Sequence, residues 1–143
     1  MNSIKNKPFS GLFIFRIQDQ EFCLDLKEII NVIKLNESVI SQNGPVTELE
    51  YAGEKYKIIS FDKIYKLNYK TSAKTRVILV KIKKKLLGFH ADEIVEIMAI
   101  NENSPAISRS NHNKDPFIKL IIKYGEREMI VPQMEKVLSS AEQ

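Results

Sequence analysis

Phe22-Cys23-Leu24-Asp25-Leu26-Lys27-Glu28-Ile29-Ile30-Asn31-Val32-Ile33 and Leu87-Gly88-Phe89-His90-Ala91-Asp92-Glu93-Ile94-Val95-Glu96-Ile97-Met98 are two versions of one pattern, 65 positions apart. The match extends N-terminally, where Phe13-Ile14-Phe15-Arg16-Ile17 falls on Ile78-Leu79-Val80-Lys81-Ile82. Of the twelve apolar residues in 13–33, eleven meet an apolar residue in 78–98, although only 43% of the chain is apolar. A second pairing, at a shift of 72, puts Gly53-Glu54-Lys55-Tyr56-Lys57-Ile58-Ile59 on Gly125-Glu126-Arg127-Glu128-Met129-Ile130-Val131. Self-similarity at a fixed spacing marks one structural unit used twice.

Each copy opens with a strand, turns and returns. Phe13, Phe15 and Ile17 alternate with Ile14 and Arg16, Gln18-Asp19-Gln20 supplies a polar turn, and Phe22 and Leu24 resume the alternation. Leu26, Ile29, Ile30 and Ile33 are then spaced i, i+3, i+4, i+7, as are Ala91, Ile94, Val95 and Met98, which predicts a short helix in each copy. Val32 and Ile97 lie off that stripe, so either the helix gives way early to a strand or these residues cover a contact surface. Two hairpins follow, turning at Ala52-Gly53-Glu54 and Tyr124-Gly125-Glu126, and each copy closes with a short amphipathic segment, 61–67 and 134–138. The polar stretch 68–74 reads as a linker, and 101–115 as a longer polar loop. Many short strands that must protect their edges favour small barrels, and two halves each too small for an ample core favour a shared apolar interface.

Composition excludes several classes of function. The chain has 143 residues, 28% of them charged, and no run approaching 18 apolar residues; the N-terminus lacks the apolar stretch of a secretion signal, so a cytoplasmic location without membrane insertion is expected. The net charge of +4 is spread along the chain apart from Lys83-Lys84-Lys85 in a predicted turn. That run has no interleaved aromatics to stack on bases, so nucleic acid is not an expected partner. Cys23 sits in an apolar strand and reads as a small buried hydrophobe. His90 and His112 are isolated from other metal-ligating residues, and no phosphate loop or nucleophile motif occurs. No catalytic residue, metal site or cofactor is therefore expected.

The run Leu87 to Ile97 closely resembles the Gly-x-x-x-Asp-x-(Val/Ile)-x-Glu-(Val/Ile) motif of the CheW-like domain, the bacterial chemotaxis coupling family. Glu21 to Val32 resembles its opening motif, with Cys23 in place of the usual glycine and Asn31 in place of glutamate. Gly125 to Leu138 is similar to its last hairpin and closing segment, and the resemblance covers residues 11–138. It implies a mainly β fold with short helices: two SH3-like five-stranded barrels in a pseudo-twofold repeat, approximately 11–68 and 75–138. It also implies a non-catalytic adaptor bridging the regulatory domain of a CheA-like histidine kinase and the cytoplasmic tip of a chemoreceptor. The implied partner-binding residues are Ile29, Asn31, Val32, Glu50, Ala52 and Gly53. The family's Asn-Leu-Arg-Gly turn reads Glu50-Tyr51-Ala52-Gly53 here, so the forked donor set of an arginine is missing from the receptor-facing half. Two alternatives stand beside this reading: a small-barrel nucleic-acid binder, resting on the pI near 9.1, and a divergent CheW-like scaffold of another signalling or surface-motility complex.

Overall fold

The structure, a computed structural model, describes residues 11–34, 48–67, 75–99, 108–110 and 115–141. The linker 68–74, Thr47, His112 and most of the 101–115 loop lie outside the described residues. The first copy supplies β1 (Leu12–Ile17), β2 (Gln20–Asp25), a 3-10 turn (Leu26–Glu28), β3 (Ile29–Lys34), β4 (Glu48–Tyr51), β5 (Glu54–Ile59) and α1 (Phe61–Ile64). The second supplies β6 (Arg76–Ile82), β7 (Lys85–Ala91), β8 (Glu93–Met98), β9 (Ser108–Ser110), β10 (Ile118–Tyr124), β11 (Arg127–Pro132) and α2 (Met134–Ala141). The fold is mainly β, built as two SH3-like barrel sheets with short helices.

The two expected helices are strands. Only Leu26–Glu28 turns helically, started by Asp25, whose Oδ1 accepts from the Lys27 amide at 3.1 Å. The runs rich in Ile and Val that follow prefer extended backbone. A bulge in each strand explains the helix-like spacing. The β3–β6 register slips between Ile29 and Asn31, and the β1–β8 register slips at the equivalent place. An extra residue on one strand puts positions three apart on one face. Ile29 and Val32 accordingly both pack on the same core.

The repeat is followed by the backbone pairing residue for residue. Phe15 faces Ile94 and Val80 faces Ile29; Phe13 faces Ile97 and Ile78 faces Val32. Each of these pairs is the other shifted by 65, with the two halves exchanged. The barrels therefore do not divide at the linker. One sheet runs β8-β1-β2-β11-β10-β9 and the other β3-β6-β7-β5-β4, so each takes its central hairpin from one copy and the rest from the other. The expected boundaries, 11–68 and 75–138, are replaced by this reciprocal exchange. Sequence-local forces fix only the hairpins; which third strand joins each is decided by long-range packing. The first of these sheets also has a sixth strand, β9, whose three residues are exposed and which lines the β10 edge at Ile121–Lys123.

Alternation along β1 and β6 serves two cores at once. Phe13, Phe15, Ile17 and their counterparts Ile78, Val80, Ile82 enter one core between the sheets, joined by Phe22, Leu24, Phe61 and Phe89. Phe61 and Phe89 stack at 4.3 Å, and Phe15 lies 5.2 Å from Phe89. The opposite faces fill each barrel: Leu12, Ile14, Cys23, Ile122 and Met129 in one, Leu49, Tyr56, Val77 and Leu79 in the other. Each large side chain so buried contributes about 1.5–3 kcal/mol. The hairpin equivalence also sharpens. Tyr51 and Tyr124 each end a strand and pair across a two-residue turn, with Glu54 and Arg127, so the structural shift there is 73 rather than 72. Ala52 thereby occupies the place of Gly125, and both have positive φ, 52° and 64°.

Candidate functional site

The sequence-selected residues fall on the two outer strands of the five-stranded sheet, β3 and β4, and on the turn after β4. Asn31 joins these margins: its Nδ2 donates to the Tyr51 hydroxyl, while its Oδ1 accepts from the Val32 amide at 2.8 Å. Tyr51 is further braced edge-on by Tyr56, with ring centroids 6.5 Å apart. Asn31, Ala52 and Gly53 are exposed and form one rim. Both turn residues adopt left-handed backbone, 52° at Ala52 and 79° at Gly53, the geometry of the tightest hairpins. Alanine pays for that conformation where glycine does not.

The remaining selected residues point elsewhere. Ile29 and Val32 are half-buried against the inter-sheet core, leaving only their outer edges accessible. Glu50 is exposed opposite Lys55, between Leu49 and Tyr51, which face the barrel. The site is thus split into a polar rim, Asn31 with the Ala52-Gly53 turn, and an apolar margin at Ile29 and Val32. Ile30, at the bulge, is 43% exposed, and Ile97, the counterpart of Val32, is 57% exposed.

Sequence reasoning missed the matching rim of the six-stranded sheet. There Arg127 donates from Nε to Glu21 Oε1 at 3.0 Å and from Nη1 to Glu96 Oε2 at 2.7 Å. Glu96 is the counterpart of Asn31 at the shift of 65, so an ionic tie stands where the first rim has a neutral one. The signal was present in the aligned pair Asn31/Glu96, but Arg127 is far from both acids in sequence. Tyr51 was also missed; its recurrence as Tyr124 becomes visible only with the corrected shift.

Chemistry beyond binding has little support from these groups. Burial, with Glu21 nearby, pushes the Cys23 thiol up to about 12, so it stays protonated and unreactive. Burial holds His90 below its ordinary range, with Asp62 opposing. Among the described residues no group of three or more His, Cys, Asp or Glu side chains is placed to hold a metal. Among them, too, no helix is long and apolar enough to cross a membrane.

With the exchanged double barrel and its rims described, comparison with known families is direct: the profile of the CheW-like domain matches residues 11–142. The chain belongs to the CheW-like domain family. The crystal structure of the scaffolding protein TtCheW from Thermoanaerobacter tengcongensis matches with a TM-score of 0.73 at 18% identity, over 90% of this chain and 86% of that one. At that identity the likeness bears on the fold. Comparison with curated protein sequences gives no match. The CheW-like match spans both barrels, in keeping with a domain that works as one scaffold of chemotaxis signalling.

Proposed function

We propose that this CheW-like domain is a non-catalytic cytoplasmic adaptor that couples a chemoreceptor tip to the regulatory domain of a CheA-like histidine kinase. The observation that carries the proposal is the rim formed by Asn31, Tyr51 and the Ala52-Gly53 turn, beside the accessible edges of Ile29 and Val32. Asn31 and Ala52 replace the charged groups of the family pattern, so recognition relies on apolar packing and backbone contacts more than on an ion pair. Ala52 favours a second reading in which the same fold scaffolds a different signalling complex, because the receptor-facing arginine is missing.

Calorimetric titration with the purified kinase regulatory domain tests the first reading. Binding should survive an increase to moderate salt, since apolar burial is not screened as exposed ion pairs are. Val32→Asp should weaken it about tenfold or more, with the folded state verified by circular dichroism; Val32→Thr, nearly the same shape, provides a milder companion. Changing Lys83, Lys84 and Lys85 together to Ala should leave this affinity unchanged. Loss of binding in the lysine variant with retention in Val32→Asp would overturn the placement. Ala52→Arg separates the two readings: a gain in affinity for a chemoreceptor tip peptide supports coupling, and no gain favours the other complex.

A further inference from the structure

The two sheets end differently at equivalent strands. With the hairpins aligned at the shift of 73, β4 corresponds to β10 and β5 to β11. On its outer edge β10 carries β9, an antiparallel strand in which Ser108 faces Lys123 and Ser110 faces Ile121. β4 ends the five-stranded sheet, and among the described residues no strand pairs with its outer edge. β3, the opposite outer strand, reaches it through side chains, Asn31 to Tyr51, and not through a main-chain ladder.

The register of the hairpin says which groups that edge presents. Tyr51 and Glu54 flank the two-residue turn, so they exchange main-chain hydrogen bonds, and Leu49 with Tyr56 does so again two residues on. The intervening Glu48 and Glu50 therefore turn their amides and carbonyls outward, as Ile121 and Lys123 do toward Ser110 and Ser108. An unpaired row of this kind is a template for a further strand. The side chains set what fits. Leu49 is buried in the barrel, whereas Glu48 and Glu50 are exposed on the other face. Lys55 and Lys57 oppose the same glutamates from β5, on the far side of β4. An added strand lies about 4.8 Å from β4 and about 10 Å from β5, so the glutamates are its nearest charges.

We propose that the outer edge of β4 takes up an extended partner segment in which basic residues alternate with apolar ones. The basic side chains meet Glu48 and Glu50, and the apolar one between them lies beside Leu49. Main-chain bonds supply most of the affinity and the glutamates the selectivity, since opposite charges across a strand pair favour one another and like charges do not. The edge adjoins the rim assigned to the adaptor role, but the inference stands on the pairing of β4 and goes beyond that reading.

Fluorescence anisotropy with the full chain and a labelled octapeptide of four Lys-Val repeats tests this at an ionic strength of about 0.1 M. Glu48 and Glu50 changed together to Lys should weaken binding about tenfold or more, whereas Glu126 and Glu128 changed together to Lys should alter it about twofold at most. N-methylating the peptide's lysines removes the amides that face β4 and should weaken binding about tenfold or more; N-methylating its valines, whose amides face away, should not. Equal losses in the two glutamate pairs, or in the two methylated peptides, would show charge attraction without strand pairing and overturn the proposal. So would equal binding of a peptide with the same residues in two blocks, lysines then valines. Amide exchange followed by NMR in the free chain should be fast at Glu48 and Glu50 and slow at Leu49 and Tyr51, and the peptide should slow the first two. Slow exchange at Glu48 and Glu50 without peptide would show the edge already covered by the chain itself, and would also overturn the proposal. The kinase regulatory domain is titrated in parallel: lost peptide binding with kinase binding kept strikes this inference alone, and the reverse strikes the proposed function alone.

Discussion

The two sheets share a backbone plan and differ in how they tie their margins. In the six-stranded sheet Arg127 bridges Glu21 and Glu96; in the five-stranded sheet Asn31 reaches Tyr51. Asn31 and Glu96 occupy equivalent places in the repeat, and the strands beneath them pair in the same register with the same bulge. What the two rims share is therefore geometry, and what they differ in is charge. The ionic rim holds its own counterions, Glu21 and Glu96 around Arg127. The neutral rim leaves exposed backbone at Ala52-Gly53 and apolar edges at Ile29 and Val32. In the function proposed above, only the neutral rim is assigned to a partner.

The largest effect should come from the core that both sheets share. Phe89→Ala removes a ring that stacks on Phe61 and packs on Phe15, and should cost about 3–5 kcal/mol. Because each barrel borrows strands from the other copy, calorimetry should show one transition before and after the change. Two resolved transitions would break the comparison, since the rims would then belong to independent units.

Next in size is the contrast between the ties. Arg127→Ala leaves Glu21 and Glu96 unpaired, and should cost about 1–2 kcal/mol in low salt, discounted for partial exposure. Asn31→Ala should cost about 0.5–1 kcal/mol and respond little to salt. Denaturant titrations of both variants in dilute buffer and in high salt measure this directly. Equal salt sensitivity would erase the distinction drawn between the rims.

Smaller still is the turn. Ala52→Gly relieves the left-handed strain at a position where the other copy already has Gly125, and should stabilise the chain by about 0.5–1 kcal/mol, read as a raised melting temperature. The smallest expected effect is a pH dependence at His90. Burial lowers its folded pKa below 6.5, so the unfolded chain binds the proton more readily and stability falls as pH drops through and below 6.5. His90→Gln should flatten that part of the melting-temperature profile. A wild-type profile no steeper than the variant's would count against a lowered pKa at the half-buried His90.

The sequence by itself determined the duplication, the hairpins, the mainly β class and the family. The first three rest on period-two alternation and on turn residues, which act over a few neighbouring positions; the family rests on the resemblance carried by Leu87 to Ile97. It also marked both Asn31 and Glu96, though not what they touch. Only the tertiary structure decided that Ile29 to Ile33 is a bulged strand rather than a helix, because a bulge imitates the helical spacing of three. Only the tertiary structure decided that each barrel is assembled from both copies. Strand partners such as Phe15 and Ile94, or ion partners such as Glu21 and Arg127, are chosen by packing between segments far apart in the chain. Both faces of β1 and β6 are apolar over most of their length because each meets a core, so alternation could not say which face belongs to which core.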